Sequence, residues 1–152
     1  FLSFINLKER GVPADDITVL LMADHGVALY GDAVIVNPKF AAAQPDAVRA
    51  FLRAFLKGLK DTVRAPATAI DSVMRRNDAA KRAVELERLT MALRDNVVTP
   101  EVRANGYGGI DPDRFARAIE QLALASKFRT TPEPDDIFDP AFLPAAAERR
   151  AN

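Results

Sequence analysis

Hydrophobic and polar positions alternate with two different periods along this chain, and the change falls near residue 38. Before it, Ile17-Thr-Val-Leu-Leu-Met22 and Ala33-Val-Ile-Val-Asn37 are uncharged, β-branched, apolar runs of strand length. Such runs predict two strands buried on both faces. The first follows a short helix that ends near Arg10, where Gly11-Val-Pro13 stops it. Between the runs lies Ala23-Asp-His-Gly-Val-Ala-Leu-Tyr-Gly-Asp32, which holds the only histidine.

After residue 38 the period becomes helical. A short helix is expected from Asn37 or Pro38 to Ala43, and a long one from Gln44-Pro45-Asp46 to about Arg64, with proline in the first turn and an acid facing the helix dipole. Val48, Phe51, Leu52, Phe55, Leu56 and Leu59 recur every three or four residues as one apolar stripe, and Phe51 and Phe55 are assigned to the core. Further helices are expected over 67–76 (Ile70, Val73 and Met74 inward), 79–96 (Val84, Leu86, Leu89, Leu93) and 111–126 (Phe115, Ile119, Leu122). A brief one starts at Thr99-Pro100-Glu101 with Thr99 as cap. Asn105-Gly-Tyr-Gly-Gly109 is expected to be a turn using positive φ at glycine. Residues 130–136 read as a linker, Ile137-Phe138 with Phe142-Leu143-Pro144 as an apolar clasp, and the end as a polar tail.

Composition narrows the function. About half of the 152 residues are apolar, enough for a folded core. The 21 basic and 21 acidic side chains cancel, so no net field draws nucleic acid or an anionic membrane. No cysteine and one histidine remove thiol chemistry and argue against zinc. No nucleophile elbow, phosphate loop or dinucleotide fingerprint is present, so catalytic residues, metal ligands and cofactors are all expected to be none. Asp24 and His25 are neighbours in the chain, which does not by itself form a dyad. His25 suits either a turn histidine bonded to backbone or a ligand contact. Tyr30 can offer a ring to a ligand and a hydroxyl to water. Arg75-Arg76 and Arg149-Arg150 read as solvated faces.

Several motifs carry a family likeness in shared order and spacing: Asn6-Leu-Lys-Glu-Arg-Gly-Val-Pro13, Met22-Ala-Asp-His-Gly26, Leu29-Tyr-Gly-Asp-Ala-Val-Ile-Val-Asn37, Asn37-Pro-Lys-Phe40, Pro45-Asp-Ala-Val48, Val98-Thr-Pro-Glu101, Asn105-Gly106 and Phe142-Leu-Pro144. Together they resemble the second half of the periplasmic solute-binding proteins of ATP-binding-cassette importers, in the branch that binds nitrate, sulfonates, taurine and thiamine pyrimidine precursors. Two positions depart from the family pattern, with His25 where tyrosine is usual and Asp32 where asparagine is usual.

The resemblance implies an α/β fold of the type II periplasmic-binding-protein kind. Residues 1–22 would end the second lobe, 23–32 would cross between lobes, and 33–152 would complete the C-terminal part of the first lobe. It implies capture of a small polar or anionic solute by hinge closure, without enzymatic chemistry. Phe1, Ser3, Asp24, His25 and Tyr30 would be the ligand contacts, and a membrane permease the partner of a protein working in the periplasm or otherwise outside the cytoplasm. The apolar start Phe1-Leu-Ser-Phe-Ile-Asn-Leu7 and the two lone strands also imply a preceding segment or a second chain to complete the sheet. The competing expectation is a helical protein-interaction domain with no small-molecule ligand.

Overall fold

The computed structural model describes residues 2–27 and 29–151. Its architecture is helical, and local sequence explains where most helices begin. Proline occupies the first turn of α2 (Pro38–Ala43), α3 (Pro45–Arg64), α4 (Pro66–Met74), α6 (Pro100–Asn105), α7 (Pro112–Ala125) and α8 (Pro134–Ile137). There its fixed φ favours the helix and its missing N–H costs no internal bond. Asn37, Thr99 and Asp111 cap three of these by accepting from the backbone N–H of Lys39, Val102 and Arg114. The remaining helices are α1 (Leu2–Glu9), α5 (Arg82–Ala92), which runs on through a π turn at Leu93–Val97, and the single turn α9 (Ala146–Arg149).

The core forms where α4 packs against α3 and α5 and where α1 lies on α5. Ile5 of α1 and Ile70 of α4 are almost fully buried, at 2% and 1% exposure, and Val48, Leu56 and Leu93 join them. Lys8–Glu87 and Lys81–Glu9 ion pairs, and an Arg88 hydrogen bond to Asn6, link α1 to α5. Arg82 links α5 to α4 by reaching both Asp71 and the Ala67 carbonyl. Ile70→Val removes one methylene from the tightest part of this core, so a loss of about 1 kcal/mol is expected in urea unfolding.

The α/β expectation is corrected here, because no β-strand exists among the described residues. Residues 17–21 and 29–37 have no helical or strand assignment, and residues 22–25 form a 3₁₀ turn, Met22–His25. The N–H groups of residues 18–21 and 31–36 make no hydrogen bond among the described residues. Leu20 is 75% and Ile35 91% exposed. The runs have strand-like composition, but a strand exists only when a neighbour satisfies its edge. Neither run meets such a neighbour.

Other expectations also change in detail. Phe51 and Phe55 stack on each other with centroids 6.2 Å apart. They are nevertheless half exposed. Val73 and Leu122 are likewise exposed rather than inward. Arg149 is no solvated tail residue. Its side chain donates to the carbonyls of Asn105, Tyr107 and Pro144, and its own carbonyl accepts from Tyr107 N–H at 2.8 Å. The 105–109 turn does use positive φ at Gly106 and Gly108, and it buries Tyr107, whose hydroxyl pKa burial raises.

Candidate functional site

The polar groups of this chain converge around Tyr30. Its hydroxyl donates to Glu101 Oε1 and accepts from the backbone N–H of Asp111 at 2.7 Å. The same N–H also reaches Glu101 Oε1 at 3.3 Å. Arg114 Nη1 donates to Glu101 Oε2 at 2.6 Å, and Nη2 donates to the Leu29 carbonyl at 2.9 Å. The guanidinium carbon sits 4.3 Å from the centre of the Tyr30 ring, within cation–π range. Phe115 meets the Tyr30 ring edge-on at 6.0 Å, and Phe138 meets Phe115 in the same way at 6.4 Å.

Three elements position these groups. Thr99 caps α6 and so places Glu101 in its first turn, while Asp111 caps α7 and so places Arg114 and Phe115 on its first turns. Arg114 and Gln121 lie seven residues apart, on one face of α7. Gln121 donates to the Gly26 carbonyl at 2.8 Å. The two side chains therefore tie Leu29 and Gly26 to α7. Gly26 closes the preceding 3₁₀ turn at φ 88°, a conformation that favours glycine.

The environment tunes two of the groups. Burial raises the Tyr30 pKa above 10.0, reinforced by its hydrogen bond to Glu101 and opposed by the Asp111 N–H and Arg114. Burial also pushes Glu101 upward, but hydrogen bonds from Tyr30 and Arg114, the Arg114 charge and the Asp111 N–H outweigh it. The net result lies below the ordinary 4.5. A carboxylate depressed on folding contributes stability above its unfolded pKa and loses it as pH falls through the folded value. Stability measured by urea titration is therefore expected to fall below about pH 4.5, and Glu101→Gln should make that acid limb shallower.

The structure places the expected ligand contacts apart. Phe1 lies outside the described residues. Ser3 is exposed on α1, and Asp24 and His25 are exposed on the 3₁₀ turn, with no side-chain hydrogen bond or ion pair among the described residues. Tyr30 alone joins a polar cluster, with Glu101, Asp111 and Arg114, none of which the sequence marks as a ligand contact. No group of three His, Cys, Asp or Glu side chains suited to a metal exists among the described residues. A cavity of about 640 Å³ lies over α1 and α5, lined by Phe4, Leu86, Thr90, Met91 and Arg94 among others. One of about 350 Å³ runs along α3, beside Arg53, Lys57 and Lys60. Neither touches Tyr30, and both are open to solvent, so convergent polar groups rather than volume mark the candidate site.

Among known proteins, no curated protein and no solved structure matches. Residues 2–69 match the family model described as NMT1/THI5 like, a stretch that takes in Ser3, Asp24, His25 and Tyr30 and leaves Glu101, Asp111 and Arg114 outside. Over residues 2–69 the chain is therefore similar to solute-binding proteins of the nitrate, sulfonate and thiamine-precursor type.

Proposed function

We propose that this chain belongs to the substrate-binding component of an ATP-binding-cassette importer and captures a small polar or anionic solute outside the cytoplasm. The supporting observation is the family match over residues 2–69, which contains Gly26 and Leu29, both bonded to α7. Capture needs no covalent step, because a ligand that prefers one conformation shifts the population toward it. A permease is the partner on this proposal. The exposed apolar runs 17–22 and 33–36 are covered by further polypeptide, either a preceding segment or a second chain, because unpaired apolar edges of this kind associate in water. Size-exclusion chromatography with light scattering tests the covering, and a well-behaved monomer of this chain alone overturns it.

Thermal-shift measurement tests the solute, using nitrate, taurine, alkanesulfonates and hydroxymethylpyrimidine compounds. At a hundredfold excess over Kd a true ligand adds about 2.7 kcal/mol of stability, a shift of several degrees. A panel that moves nothing overturns solute capture. The helical architecture and the half-exposed Phe51–Phe55 pair favour a second function in that event, a helical protein-interaction domain.

A further inference from the structure

Three hydrogen-bond donors, one on the segment before α2 and two at the start of α7, reach one carboxylate, the Asp111 N–H being shared with the Tyr30 hydroxyl. They are the Tyr30 hydroxyl, the Asp111 backbone N–H and the Arg114 guanidinium, and both oxygens of Glu101 are engaged. Donors of these types, with a planar guanidinium in the set, recognise an oxyanion whether or not it is attached to the chain. The Phe115 ring beside Tyr30 lowers the local polarity and strengthens the set. Glu101 is itself near the surface, with a side-chain exposure of 20% against 30% for Arg114, so solvent reaches the pair.

We infer that Tyr30, Asp111 N–H and Arg114 form an oxyanion-binding site, that Glu101 is its internal occupant, and that a carboxylate or sulfonate solute displaces the Glu101 carboxylate. This deepens the solute-capture proposal by giving that solute an anionic head group and a place to bind. It also gives the site a built-in threshold. A tethered carboxylate competes at high effective concentration, so a free anion must exceed it or bring further contacts. Displacement keeps the Arg114 charge paired throughout, and Glu101 moves out to water.

The test uses acetate and methanesulfonate as probes, with chloride at matched ionic strength as the control. Glu101→Ala empties the site. In this variant both probes are expected to raise the melting temperature saturably while chloride does not, and Arg114→Met added to Glu101→Ala abolishes the response. Tyrosine emission gives a second readout, since Tyr30 and Tyr107 are the only tyrosines and tryptophan is absent. In a Tyr107→Phe background the probes should alter Tyr30 emission in both wild-type and Glu101→Ala proteins. Half-saturation in wild type is expected to lie at least about tenfold higher. Should Glu101→Ala fail to fold, Glu101→Gln replaces it, because a neutral amide yields to the probe at lower concentration than the wild-type carboxylate.

A response that survives Arg114→Met, or no saturable response in either Glu101 variant, overturns the site. The two proposals fail separately. A panel solute that binds Tyr30→Phe and Arg114→Met as tightly as wild type removes this site and leaves solute capture standing. Acetate rescue of Glu101→Ala with an inert panel does the reverse.

Discussion

Arg114→Met is expected to lower the unfolding free energy by about 3 kcal/mol. Methionine keeps most of the side-chain stem, so the loss comes from polar groups rather than from a cavity. Glu101 retains its Tyr30 donor but loses its cation in a partly buried position, and the Leu29 carbonyl loses a donor. The cation–π contact with Tyr30 goes as well. Breaking a fully buried pair costs about 3–5 kcal/mol and an exposed one about 0–1. Side-chain exposures of 30% and 20% put this pair between those limits, and the extra contacts of Arg114 bring the total toward the upper one. Urea unfolding should show a lower midpoint with an unchanged slope. A double-mutant cycle with Glu101→Gln should return a coupling of about 1–2 kcal/mol, and a coupling near zero would make the pair an ordinary surface contact. Hydrogen exchange at Leu29 and Tyr30 should also quicken, since one of the two ties to α7 has been cut.

The same residues show what can be seen in the sequence and what cannot. Helix starts are legible because their causes are local: proline at the first position and an oxygen-bearing cap lie within a few residues of the helix they begin. The α3 stripe is legible for the same reason, yet periodicity gives only the direction of an apolar face. It does not give how much of that face a neighbour covers, and Phe51 and Phe55 stay half exposed. The runs 17–22 and 33–37 fail as strands because pairing is not a local property. Their composition meets every requirement of a strand except a partner. Tyr30 was visible as a tyrosine bounded by turn residues. Its partners Glu101 and Arg114 sit 71 and 84 positions further on, and nothing local in either pairs it with Tyr30. The same holds for the tail, since an arginine pair looks solvated in sequence until the three carbonyls that hold Arg149 are in view.

Those carbonyls lead to Gly106→Ala, for which a loss of about 3 kcal/mol is expected. Gly106 ends α6 at φ 78° and ψ 167°, a region that residues with a Cβ rarely enter. Strain of that kind costs about 1–3 kcal/mol. The added Cβ would also stand 2.9 Å from the Arg149 carbonyl oxygen and 3.1 Å from the Arg149 carbonyl carbon and Cβ. Relief requires α9 to move, and α9 is fixed by Tyr107 N–H on the Arg149 carbonyl and by the Arg149 side chain on Asn105 and Tyr107. The strain should therefore spread along the chain to the oxyanion donors, since residues 106–111 join Glu101 on α6 to the Asp111 N–H at the start of α7. Two results are expected together: a lower urea midpoint, and a change in Tyr30 emission in the folded baseline of a Tyr107→Phe background. Gly108→Ala offers the internal comparison. Its Cβ would meet only Leu143 Cδ2, at 3.2 Å, an atom at the end of a side chain that can rotate away. It should cost less and leave the Tyr30 signal unchanged. If Gly106→Ala destabilises without moving that signal, the 105–109 turn holds the tail alone and has no part in setting the site.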